Sequence, residues 1–202
     1  LGGVALLGLI FLILYHHQPS PKTDKLILKF SFGKAQVIII SVGALWGVAH
    51  HGLFNFLSYY FNRSVGIGWN AGVISGLLLG FVLILGIIGQ LLGGRLGERF
   101  KRKNLYSWVV GLNIPFLVIM PFLNGWALVG IAGILGAVNF MFQPIHNSLL
   151  ADETNSDQRG IVYGFSAGIS FGVGSLAGVI GGYIGDIFSI NYIFPSMAVF
   201  LF

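Results

Sequence analysis

The chain has 202 residues, 55% of them apolar and only 8% charged, with a mean hydropathy of +0.87. A soluble domain carries about a quarter charged residues, so this composition excludes a water-soluble globular fold and predicts an all-α integral membrane protein. The net charge of +5 does not mark a nucleic-acid binder, because the cations lie in short loops between apolar runs, and the lack of cysteine removes disulfides, thiolate chemistry and Cys-ligated metals.

Residues 1–17 read as the end of a helix, closed by His16-His17 and stopped by Pro19 and Pro21. Residues 18–35 form a polar loop carrying Lys22, Lys25, Lys29 and Lys34. Apolar spans follow at 36–60, 70–93, 104–123, 126–150 and 161–186, and a further one covers 189–202. A span of about 20 residues crosses roughly 30 Å of hydrocarbon. Both ends lie inside apolar runs, and no cleavable signal peptide is recognisable. The expectation is a multi-pass fragment, whose N-terminal half belongs to the same longer polypeptide.

Charge sets the orientation. Lys22, Lys25, Lys29 and Lys34, then Arg95, Arg99, Lys101, Arg102 and Lys103, then Arg159 all fall in alternate loops, whereas the other side holds Arg63 alone. Such asymmetry predicts that loops 18–35, 94–103 and 151–160 are cytoplasmic.

The sequence also repeats at an offset of 88 residues. Gly93-Gly94-Arg95-Leu96-Gly97-Glu98-Arg99-Phe100 aligns with Gly181-Gly182-Tyr183-Ile184-Gly185-Asp186-Ile187-Phe188. Three helices separate the copies, so the expected architecture is a six-helix bundle of two inverted three-helix repeats, a mark of secondary transporters. The second helix of each triple carries glycine every fourth residue, at Gly72, Gly76 and Gly80 and at Gly164, Gly168 and Gly172. That spacing predicts close helix packing. The first helix of each triple carries a polar stripe: His51, Asn55, Ser58 and Tyr59 in 36–60, matched by Asn139, Gln143, His146 and Asn147 in 126–150. Polar side chains at membrane depth are costly unless they face the bundle interior or water. His51, Asn55, Tyr59, Asn139, Gln143 and His146 are therefore the expected substrate-cavity residues, with interhelical hydrogen bonding as the competing role for each.

Gly94-Arg95-Leu96-Gly97-Glu98-Arg99-Phe100-Lys101-Arg102-Lys103 is similar to the loop motif Gly-x-Leu-Ala-Asp-Arg-x-Gly-Arg-Lys of the major facilitator superfamily, with Glu98 for the acid and Lys101 for the second glycine. The stretch from Leu149 through Asp152 and Arg159-Gly160, then Gly164 and Gly168, resembles that family's loop 10–11 and helix 11. The spans map onto the end of helix 6, helices 7 to 11 and the start of helix 12, so the resemblance covers the C-terminal half of a transporter. It implies that helices 7 and 10 line a central cavity, and that Gly94, Glu98, Arg99 and Arg102 hold a gate. Phe171-Gly172-Val173-Gly174 and the run from Gly52 to Tyr60 faintly resemble the fosmidomycin-resistance and related drug exporters.

The resulting expectation is a secondary active transporter in the plasma (inner) membrane, moving a small molecule by alternating access as an H+-coupled exporter. The alternatives are a facilitative uptake carrier and a non-transporting receptor or scaffold of the same fold. The expected partners are the substrate, the lipid bilayer and protons. No enzyme chemistry or cofactor is indicated: all six acids lie in loops or at helix ends. His50, His51 and His146 are the titratable groups expected at depth, and the histidine spacing does not suit a metal centre.

Overall fold

A computed structural model describes residues 32–65 and 71–202. The expected helix end at 1–17, nearly all of the loop at 18–35 and residue 70 lie outside the described residues. Among the described residues every regular element is a helix. Helix α1 spans Lys34–Val65, α2 Ala71–Arg99, α3 Arg102–Ile119, α4 Gly125–Asp152, α5 Arg159–Gly174, α6 Leu176–Ile187 and α7 Ile193–Ala198, with short 3₁₀ turns between several of them. Five segments are long and apolar enough to cross a membrane: α1, α2, α3 with its 3₁₀ extension, α4, and the α5–α6 run from Ser156 to Ile187. Helical geometry satisfies every backbone group locally, which hydrocarbon requires.

The spans are longer than their apolar sequences suggest. At 1.5 Å per residue the 32 residues of α1 reach about 48 Å, well beyond the hydrocarbon thickness. The run expected as one helix over 161–186 is divided at Ser175 into α5 and α6. Gly125 opens α4 with φ +58°, a conformation that favours glycine and lets α4 turn back tightly from the 3₁₀ turn Met120–Phe122.

Two apolar cores hold the bundle. One gathers Leu53, Leu57, Phe61, Leu117, Met120, Leu128, Leu135 and Phe194. The other gathers Ile39, Tyr106, Val109, Phe142, Ile145, Leu150 and Val162 toward the end carrying the cationic loops.

Glycines set the closest crossings, though not at the expected positions. A Cβ at Gly89 would collide with the Ala137 carbonyl, and one at Gly93 would lie 2.7 Å from the Met141 carbonyl, so α2 and α4 touch backbone to backbone. Gly47 meets the Ser170 backbone and Gly174 meets Gly47, which joins α1 to α5 in the same way. At Gly72, Gly76, Gly80, Gly164, Gly168 and Gly172 a Cβ would meet nothing within 4 Å. Those two stripes face outward, away from the packed sides, which carry Gly86, Gly89 and Gly93 on α2 and Ser170 and Gly174 on α5.

Candidate functional site

A pocket of about 120 Å³ lies between α1, α4 and α5. Helix α1 contributes Trp46, Gly47, His50 and His51, α4 contributes Phe140, Phe142, Gln143, His146 and Asn147, and α5 contributes Tyr163, Ser166, Ser170 and Phe171. Helical spacing places these residues together: 46, 50 and 143, 147 and 166, 170 are each i, i+4 pairs on one face. Pro144 lies within α4, so the Phe140 carbonyl lacks its usual N–H partner at the level of the pocket. Carboxylates, lysine and arginine are absent from this lining, whose polar groups are imidazole, amide and hydroxyl among aromatic rings.

Four rings form a column along the wall. His50 stacks on Trp46 at 4.6 Å, Trp46 on Phe142 at 4.2 Å with 8° between planes, and Phe142 on His146 at 5.1 Å. Among the described residues, Trp46 Nε1 is the buried side-chain nitrogen or oxygen that has no hydrogen-bond partner.

Two buried polar relays tie the column to the remaining helices. His50 Nδ1 lies 2.6 Å from Asn139 Oδ1, Asn139 Nδ2 donates to Asn113 Oδ1 at 3.1 Å, and Asn113 Nδ2 donates to the Val109 carbonyl at 2.7 Å. His146 has both ring nitrogens bonded, Nδ1 with Tyr106 Oη at 3.1 Å and Nε2 with Ser166 Oγ at 3.0 Å.

The six residues expected at the cavity therefore divide three ways. His51, Gln143 and His146 line this pocket. Asn139 is 1% exposed and bonded within the bundle. Asn55 and Tyr59 line a separate pocket with Arg63, Gly181 and Asp186, about 12 Å farther along α1 from His51 to Tyr59. Trp46, His50, Ser166, Ser170 and Phe171 at the pocket, and Tyr106 and Asn113 in the relays behind it, were not among the expected cavity residues. Asn113, an amide inside an apolar span, and the Ser166/Ser170 pair at i, i+4 were the readable signals.

At the other end, Arg102 forms an ion pair with Asp152 and donates Nε–H to the Gly97 carbonyl at 3.3 Å. Lys103 Nζ lies 3.6 Å from Glu153. Gln36 donates to the Glu153 carbonyl at 2.9 Å, and Arg159 donates to the Ala151 and Thr154 carbonyls, so one cation and an amide close the C-terminus of α4. Glu98 and Arg99 have no ion pair or side-chain hydrogen bond among the described residues, and Gly94 touches no neighbouring helix. Of the expected gating residues, Arg102 alone ties its helix to others, α3 to both α2 and α4.

A family model described as Major Facilitator Superfamily matches residues 1–178. An uncharacterized MFS-type transporter of Bacillus subtilis (strain 168), YfnC, is 27% identical over 104 residues, an alignment that covers 52% of this chain and 25% of the relative.

Proposed function

The chain belongs to the Major Facilitator Superfamily, and from that premise we propose that the protein containing it carries a small molecule across the plasma (inner) membrane by alternating access. The observation that carries this reading is the pocket between α1 and α4, the two helices with polar stripes, closed on a third side by α5. In this proposal the two triples, α1–α3 and α4–α7, are inverted repeats, the cationic loops are cytoplasmic, and the substrate binds among His51, Gln143 and His146.

Export coupled to protons is the finer proposal, with His50, His51 and His146 as this half's titratable groups at the pocket. The lining itself favours a second reading, facilitative carriage, because imidazole, amide and hydroxyl groups bind a neutral solute without a carboxylate to couple it. Flux of candidate solutes in proteoliposomes holding the full-length protein, with and without an imposed pH gradient, separates the two. Gradient-dependent efflux supports the exporter, gradient-independent equilibration supports the carrier, and no flux of any solute supports a non-transporting scaffold.

A further inference from the structure

The relay behind His50 has a direction, and the direction reaches the pocket. The Val109 carbonyl can only accept, so the Asn113 atom facing it must be the amide nitrogen, which leaves Asn113 Oδ1 as the acceptor for Asn139 Nδ2. Asn139 Oδ1 must then accept from His50 Nδ1–H across 2.6 Å. An imidazole with its proton on Nδ1 carries a lone pair on Nε2. Among the described residues His50 Nε2 has no partner, yet it is not among the buried unpartnered atoms, so it keeps some accessible surface on a residue that lines the pocket.

We propose that His50 is a substrate-recognition residue, and that its Nε2 accepts a hydrogen bond from an O–H or N–H group of an uncharged aromatic or largely apolar ligand. The relay fixes the tautomer in advance, so the acceptor costs nothing to orient when the ligand arrives. Phe140 and Phe171 supply apolar surface on the same pocket, with Phe171 5.4 Å from His51, and the lining offers no counter-ion for a charged ligand. A site built to accept a ligand hydrogen bond discriminates against the analogue lacking the donor, because the acceptor is then left unpaired. This inference rests on the pocket being the substrate path.

The test uses the full-length protein in nanodiscs and two matched probe pairs, phenol with anisole and indole with 1-methylindole, which differ by one donor. The expected result is about fivefold tighter binding of phenol and indole, the effect of one net hydrogen bond. The preference disappears in His50→Leu. Nitrogen-15 spectra of labelled histidine in the unsubstituted protein, which require no folded variant, show His50 protonated on Nδ1 and bare on Nε2, and Asn139→Leu mixes the tautomers. Equal binding within each pair, no binding of any probe, a proton on Nε2, or a preference that survives His50→Leu would each overturn the proposal. A protein that shows the tautomer and the preference but moves no solute overturns the transport reading alone.

Discussion

Arg102, the first residue of α3, is ion-paired with Asp152, the last residue of α4, while its Nε–H is held by the Gly97 carbonyl near the end of α2. One side chain thus joins three helices at the cationic end. Both partners are more than a third exposed, 37% and 47%, so the pair contributes no more than about 1 kcal/mol to stability. Under the proposed alternating access its effect would fall on the conformational cycle. Asp152→Asn is expected to slow turnover several-fold with little change in melting temperature, and the exchanged double variant Arg102→Asp/Asp152→Arg to recover part of the rate. Equal turnover in Asp152→Asn and the unsubstituted protein would remove the pair from the cycle. Glu98→Gln, at a residue without a partner in the described bundle, is the comparison: it is expected to affect turnover less than Asp152→Asn.

The glycine crossings predict opposite outcomes for one kind of substitution. Gly89→Ala pushes a methyl into the Ala137 carbonyl, and overpacking of this kind costs about 1–3 kcal/mol. Gly76→Ala and Gly168→Ala place a methyl in open space, where alanine's helix preference favours it by up to about 1 kcal/mol. Thermal melts in detergent should rank Gly89→Ala below the parent and the other two at or above it. If Gly76→Ala or Gly168→Ala keeps its stability but loses transport, that face meets a moving surface in the full protein.

Polar residues at depth separate by burial. Asn113 is 0% exposed and Asn139 1%, so Asn113→Leu strands the Asn139 amide nitrogen. Hydrogen bonds between membrane helices average about 0.6 kcal/mol, but a buried donor left unpaired costs about 1–3 kcal/mol, and the second effect should dominate. Asn113→Leu is therefore expected to lower the melting temperature, which a neutral result in the same melt would contradict.

Gln143 is exposed and makes a single long hydrogen bond, 3.4 Å to Gln90. Gln143→Ala should leave expression and melting unchanged and raise KM by roughly two- to tenfold, the range of one lost hydrogen bond. Asn55→Ala acts at the other pocket and should change the response to substrate added on the Arg63 side alone. Sidedness of inhibition in oriented vesicles distinguishes the two, and identical behaviour of the variants would merge the pockets into one site.

The helical class and the identities of the polar helices were legible because composition and hydropathy are averages over many residues. The cavity was half legible. A stripe at i, i+4 says that polar groups share a face, which is how His51 and Gln143 were found, but it carries no depth and no partner. Asn139 belongs to the same stripe yet points its amide at Asn113 and His50, a contact between residues 26 positions apart that periodicity cannot register. The glycine rows failed to show which face packs here for a related reason. Gly86, Gly89 and Gly93 carry the α2–α4 crossing at uneven spacing, while the regular row 72, 76, 80 faces outward. The Arg102–Asp152 pair was obscured by the neighbouring motif acid, Glu98.

The interruption at Ser175 has a mechanical meaning. Immediately before it, Gly174 sits against the Gly47 carbonyl of α1, and Ser175 N–H still donates to the Phe171 carbonyl, so the α5–α6 rod is pinned near its middle. The pocket with His50 borders the arm on one side of this pivot, and the pocket with Asn55 borders the arm on the other. Tilting as one piece about this pin, the rod would act as a seesaw: under the proposed alternating access, one arm would leave α1 as the other approached it, so that the two chambers would open in turn, like the doors of an airlock. Spin-label distances from α1 to Ala167 and to Tyr183 should then change in opposite senses when substrate is added, and parallel changes would mean that the rod shifts bodily instead of pivoting.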